Sequence, residues 1–352
     1  MARRPTLATV AARAGVAPST ASLVFSGGGP VAAATRARVL AAADEMGYTG
    51  PDPTARSLRQ GRSGIVAVLI GGRMLQTFRD PVALALMDGI SQELGPRGYG
   101  LLVVPGDAGT GDPSTEQVAR SPMDAAVFAT CGRDDDPVVD RLLARGVPTL
   151  AVEGPVDPGI PLVTIDNRGG AAAAARHVRD LGHRRVAVIA MPLRADRHTG
   201  WAGSRLGRIG YVTVRDRIAG VRDVYGPDVP ILETPGNLVE EGARAAARLL
   251  DAPDPPTAIL AQADLLAAGA VQAAQARGLR VPGDVSVVGF DGLDLPWLAG
   301  HRLTTAAQPL EEKSRTVGRG VADLLNGTRP ENRTFPVRLR PGTTTGPPPG
   351  ER

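Results

Sequence analysis

The chain has 352 residues, 43% of them hydrophobic and 22% charged, with a net charge of +4. That balance fits two or three globular domains and argues against an extended disordered chain. Cys131 is the sole cysteine, which excludes an intrachain disulfide and a cysteine-based zinc cluster.

Charge is unevenly placed. Residues 1–62 hold Arg3, Arg4, Arg13, Arg36, Arg38, Arg56, Arg59 and Arg62 against Asp44, Glu45 and Asp52, a net of +5 that leaves −1 for the rest. A small basic module on a near-neutral body points to a polyanion-binding head on a sensing or catalytic core. Lys313 is the only lysine, which reads as a compositional bias of a GC-rich bacterial genome. No apolar run approaches the roughly 18 residues of a membrane span. The alanine-rich N-terminus is broken by Arg13 and Gly15, so it does not read as a secretory signal, and a cytoplasmic location is expected.

The first helix is expected to follow Thr6, whose hydroxyl can accept a hydrogen bond from a free first-turn amide. Leu7, Val10, Ala11 and Ala14 form its apolar stripe. Gly15 suits a left-handed turn, and Pro18 suits the first turn of a second helix that ends at the glycines from Gly27. A third helix is expected over 35–46, with Leu40, Ala43 and Met46 inward. Two short helices joined by such a turn can lay the second in a major groove, where Ser19, Thr20 and Ser22 reach base edges and phosphates. The alternative is a small helical bundle with solvated arginines.

Pro51 and Pro53 then mark a linker, in which Asp52 can cap a short helix carrying Arg56 and Leu58. From residue 64 the pattern changes. IVAVLI at 65–70 is a continuous apolar run, as in a strand buried on both faces. Similar runs (AAVFAT, PTLAVE, PLVTID, RVAVIA, TAILAQ, VSVVGF) alternate with helical stretches, which means parallel sheets with helices on both faces. Ligands in such folds gather at strand carboxyl ends and between domains. Phe78, Trp201 and Trp297 are expected in the buried core rather than on a ligand. The proline- and glycine-rich residues 341–352 are expected to form a disordered tail.

The sequence shows no P-loop, no G-x-G-x-x-G after a strand, no H-E-x-x-H and no G-x-S-x-G. His177, His183, His198 and His301 lack metal-ligand spacing, and His183 reads as structural. Neither cofactor, metal nor catalytic residue is expected.

The stretch from Thr6 to Gly28 resembles the opening of LacI/GalR-type bacterial repressors, matching at Thr6, Val10, Ala11, Ala14, Gly15, Val16, Thr20, Ser22 and Val24. Residues 35–48 and 55–64 carry the likeness on, and RGVPTLAVE, VTIDN, LGHRRVAVI and GLRVPGDVSVVGFD extend it over roughly residues 5–340. The resemblance implies an α/β periplasmic-binding-protein-like core of two parallel-sheet subdomains, preceded by a small all-α helix-turn-helix head. It divides the chain into a head at 1–49, a hinge at 50–62, an effector-binding and dimerisation core at 63–340, and the tail.

It further implies a regulator that binds a double-stranded operator as a homodimer, controlled by a small-molecule effector such as a sugar. DNA contacts are implied at Thr6, Pro18, Ser19, Thr20, Ser22 and Leu23, and at Arg56 and Leu58 in the hinge helix, where Leu58 matches a leucine wedged into the minor groove. Effector contacts are implied at Arg217, in the family's R-x-x-G motif, and at Asp291, Glu153, Asp166, Asn167 and Asp264. Three departures stand out: Ala17 and Ala32 replace capping serines, and Leu23 replaces a base-reading arginine. The segment 191–217 is longer than in most relatives and is expected to cover the cleft or a partner surface. Rival readings are a sugar-binding module with a degenerate head and an α/β enzyme.

Overall fold

The computed structural model describes residues 5–50, 57, 61–72, 74–106, 114–129, 132–133, 136–298 and 300–350. Cys131 and the hinge residues Arg56 and Leu58 lie outside them. The chain divides into two units, Met1–Gly64 and Ile65–Arg352.

In the first unit, α1 (Leu7–Ala14), α2 (Pro18–Ser26) and α3 (Ala33–Met46) enclose Val10, Ala11, Ala14, Ala21, Val24, Val39, Ala42 and Ala43. The inward stripe of α3 runs Val39, Ala42, Ala43 and Met46, at i, i+3, i+4 and i+7. Leu40 falls one position off it and is exposed, which corrects its expected inward place.

The second unit has two lobes, each a mainly parallel sheet. The first sheet runs β12 (Arg333–Phe335), β5 (Leu162–Ile165), β4 (Thr149–Val152), β3 (Ala125–Phe128), β1 (Ile65–Ile70), β2 (Gly100–Pro105), all pairs parallel. Alternation along β1 sends Val66, Val68 and Ile70 to one face, with Leu86, Ile90, Val317 and Val321. Ala67 and Leu69 go to the other, with Val118, Val138 and Leu142.

The second sheet runs β13 (Arg338–Arg340), β11 (Thr304–Ala307), β10 (Ser286–Asp291), β9 (Ala258–Ala261), β6 (Val186–Ala190), β8 (Ile231–Glu233), β7 (Gly200–Trp201). Only its edge strands, β13 and β7, pair antiparallel. The helix Asn167–Asp180 packs with Val212–Tyr225 on one face, and Val239–Leu250 with Asp264–Gln275 on the other.

The chain crosses between lobes three times: after β5, between β11 and the helix Leu310–Leu325, and between β12 and β13. Among the described residues no helix is long and apolar enough to cross a membrane.

The expected disordered tail needs correction. Residues 341–350 lie ordered against the second lobe. Thr344 is fully buried, donates to the Val287 carbonyl at 2.7 Å and accepts from the Thr304 amide at 2.9 Å. His183 is structural as expected: its ring meets Thr257 Oγ1 at 2.9 Å, Ser286 Oγ at 3.1 Å and the Gly346 carbonyl at 2.9 Å. Burial lowers its pKa and favours the neutral ring.

Candidate functional site

The residues expected to carry function gather on two surfaces, one in each unit. In the head, Thr6 and Thr9 form a reciprocal cap: the Thr9 amide donates to Thr6 Oγ1 at 3.3 Å and the Thr6 amide to Thr9 Oγ1 at 2.8 Å. Gly15, at φ 65°, closes α1 in the left-handed region and turns the chain toward α2. Pro18 opens α2, and Ala17 before it supplies no side-chain cap. With Ala21 and Val24 buried, Ser19, Ser22, Leu23 and Ser26 line the outer face at i, i+3, i+4 and i+7. This face holds hydroxyls and one leucine, and no charge. Arg36 donates to the Val24 carbonyl at 3.2 Å, tying α3 to the end of α2.

In the second unit the lobes face each other across a cavity of about 240 Å³. The carboxyl ends of β1, β4, β6 and β10 deliver Gly71, Glu153, Met191 and Asp291 to its wall. A buried polar chain joins the lobes there. Lys313 Nζ donates to Glu153 Oε1 at 3.0 Å and to Gln308 Oε1, and Gln308 Nε2 donates to Asp291 Oδ1 at 2.9 Å. Glu153 Oε2 accepts from Thr164 at 3.0 Å and Asn167 at 2.8 Å. Arg217 donates to Asn167 Oδ1 at 2.8 Å and to the Gln262 carbonyl, stacks 3.6 Å from the Phe290 ring centre, and lies 3.7 Å from Asp291. Glu153 at φ 62° and Asp291 at φ 124° both hold backbone conformations unfavourable for residues with a Cβ. Strain of that kind concentrates at functional positions.

The carboxyls are shifted in opposite directions. Burial pushes Glu153 up, but Lys313, the Asn167 hydrogen bond and Arg217 outweigh it and hold it below the ordinary range. Asp291 is raised by burial, with nearby Asp264 and Asp80 adding to the effect of burial and Arg217 opposing it. Burial also raises Asp80, which caps the helix Pro81–Leu94 through the Val82 amide at 2.9 Å and accepts from Asn237 across the cleft at 2.8 Å. Beside it Arg79 makes a bidentate pair with Glu240 of the other lobe, at 2.6 and 2.9 Å.

The structure distributes the expected effector residues unevenly. Glu153, Arg217 and Asp291 border the cavity. Asn167 is off the wall and positions Glu153 and Arg217. Asp166 caps the helix Asn167–Asp180 through the Gly169 amide at 2.8 Å and does not reach the cavity wall. Asp264 is fully buried behind it, accepting from Thr305 Oγ1 and the Leu293 amide, both at 2.6 Å. Both therefore have internal partners in place of the implied ligand contact. Phe78, Trp201 and Trp297 are each about half exposed, which corrects their expected burial, and none lines the cavity.

Sequence reasoning missed Gln76, Asp80, Asn237 and Lys313. The residue pattern gives no signal for any of them except Lys313, whose uniqueness was visible but unassigned. The long segment after β6 does reach the cleft: Met191, Pro192, Arg194, Ala195, Arg197 and Tyr211 line it. It is anchored by Arg205, which binds buried Glu233 at 2.7 Å and Asp196 at 2.7 Å. Among the described residues no cluster of His, Cys, Asp and Glu is arranged to hold a metal ion.

Comparison with known proteins decides the family. Residues 6–50 match bacterial regulatory proteins of the lacI family, and residues 175–345 match a periplasmic binding protein-like domain. An HTH-type transcriptional regulator of Mycobacterium tuberculosis is 34% identical, with 98% of each chain covered. The chain belongs to the LacI family of transcriptional regulators. A LacI-family regulator from Corynebacterium glutamicum superposes with a TM-score of 0.73 at 26% identity, covering 97% of this chain and 99% of that one. The regulator CelR in complex with cellobiose gives 0.64 at 29%, covering 97% and 100%. A relative from Corynebacterium glutamicum, 30% identical over 97% of this chain, is likewise an HTH-type transcriptional regulator.

Proposed function

We propose that this LacI-family regulator is a repressor that binds a palindromic operator as a homodimer and responds to a sugar or related polyhydroxylated metabolite in the cleft. The observation that carries the effector reading is a set of polar groups left open on both walls. The Gln76 amide comes from the first lobe. Asn237 Oδ1 and Asp291 Oδ2 come from the second, and none of the three has a partner among the described residues. Amides offer donors and acceptors together, and a carboxyl held protonated both donates and accepts, as vicinal hydroxyls require. A ligand bridging the walls favours one lobe arrangement, and that differential affinity is what shifts an equilibrium. The relative solved with cellobiose supports this class of ligand.

The head supports operator binding. Its core is closed and α1 is capped by Thr6 and Thr9, and the outer face of α2 carries Ser19, Ser22 and Leu23, with Pro18 and Thr20 in its first turn and Thr6 opening α1. Arg56 and Leu58 would add the minor-groove contact from the hinge. Leu75, Phe78 and Leu84 are exposed apolar side chains within ten positions of one another, which supports a homodimer surface in the second unit. Selection of duplexes from a random pool on the full chain, followed by salt-titrated anisotropy, tests the reading. A palindrome is expected, with affinity reduced at least tenfold by one of a panel of mono- and disaccharides. No preference over random duplex at any salt overturns it.

A further inference from the structure

The cavity wall carries four cations, Arg194, Arg197, Arg217 and Lys313, against three carboxyls, Asp80, Glu153 and Asp291. Two of the cations are committed within the protein. Lys313 is bound to Glu153 and Gln308, and Arg217 to Asn167, the Gln262 carbonyl and the Phe290 face. The other two come from the anchored segment after β6. Arg194 is held in place by two backbone carbonyls, Nε on Arg208 at 2.8 Å and Nη2 on Arg205 at 3.3 Å, which leaves Nη1 without a partner among the described residues. Arg197 has no hydrogen-bond or ion-pair partner among the described residues, and its backbone sits at φ 53°. The carboxylate beside them, Asp196, accepts from Nη1 and Nη2 of Arg205. Two guanidinium groups on one cavity wall, one oriented by carbonyls and the other unneutralised, match an oxyanion that accepts several charge-assisted hydrogen bonds.

We propose that the effector is an anionic polyol, its hydroxyls facing Gln76, Asn237 and Asp291 and its phosphate or carboxylate bound by Arg194 and Arg197. This rests on the reading of the cleft as the effector site and narrows the ligand to sugar phosphates or sugar acids. Burial raises Asp80 and Asp291 and favours their neutral forms, which adds to the positive surplus.

The test uses the full chain without DNA. Inorganic phosphate and acetate are titrated at constant ionic strength against chloride, and the melting temperature is followed. A saturable rise is expected with one of the two anions, and the stronger response distinguishes a phosphate from a carboxylate. Arg197→Gln and Arg194→Gln are expected to weaken that response at least tenfold, Arg197→Lys to retain part of it, and Arg120→Gln, on a remote exposed helix, to leave it intact. Arg197 makes no hydrogen bond or ion pair among the described residues, so its glutamine variant loses none of those on folding. No saturable response beyond chloride, or an Arg197→Gln response equal to wild type, overturns the proposal. Operator release by sugars is a separate readout. Release by a neutral sugar that its phosphorylated or acid form does not improve on leaves the effector reading standing and removes the anion site.

Discussion

Replacing Lys313 by methionine tests how the two lobes are joined. The Lys313 side chain is 3% exposed and its ammonium faces Glu153, whose side chain is 8% exposed, at 3.0 Å. Methionine keeps most of the volume and removes the charge. Glu153 retains its bonds from Thr164 and Asn167, while Gln308 loses the donor to its Oε1. Breaking a buried pair by removing one partner costs about 3–5 kcal/mol, because the remaining charge stays desolvated. For a domain of this size that corresponds to a fall in melting temperature on the order of 10 °C. The reasoning makes a second demand: adding Glu153→Gln removes the stranded charge, and the double variant is expected to regain at least half of the loss. Circular dichroism melts of the three proteins provide the check. A single variant within about 1 kcal/mol of wild type, or a double variant no better than the single, would refute the account of Lys313 as the counter-charge of Glu153.

Other consequences follow from the same geometry. Ala17→Ser gives α2 the side-chain cap it lacks; the head is expected to gain about 1 kcal/mol in thermal or urea melts, and no gain would contradict the cap geometry. Thr344→Val removes two buried hydrogen bonds to Val287 and Thr304 and is expected to cost about 2–4 kcal/mol, whereas a disordered tail would tolerate it. The raised carboxyls at Asp291 and Asp264 fix the sign of a pH effect. Above the unfolded carboxyl value of about 4, the unfolded chain loses these protons while the native chain keeps them. Stability therefore falls as pH rises from that point until the native carboxyls ionise. Asp291→Asn should flatten this slope in urea titrations across pH 5–8, and an unchanged slope would remove Asp291 as its source.

Much of the architecture was legible because it rests on local rules. Thr6, Gly15 and Pro18 announce the head by capping and backbone chemistry, and IVAVLI announces a strand covered on both faces. The short strands β7, β8, β12 and β13, of two or three residues, give too little sequence for any periodic pattern. Tail composition misled because Thr343 bonds Arg302 through its hydroxyl and Thr344 and Thr345 bond strands β10 and β11, which proline and glycine content does not register. In the cleft, a carboxylate near a strand end reads equally as a ligand contact or an internal anchor. Asp291 reaches the wall while Asp264 turns back to Thr305, a choice made by tertiary packing. Lys313 comes to Glu153 because the chain crosses back between lobes at Gln308, and Asn237 comes to Asp80 across the cleft. Neither meeting has a local signature.

The central claim is that the cleft and the head are energetically coupled. Its most direct test measures both halves of one thermodynamic cycle on the full chain. The selected operator is titrated with and without the sugar that most stabilises the protein, and that sugar is titrated with and without saturating operator. Coupling is reciprocal, so the account predicts that sugar and operator weaken each other's binding by the same factor, at least tenfold. Sugar affinity unchanged by saturating operator would contradict it.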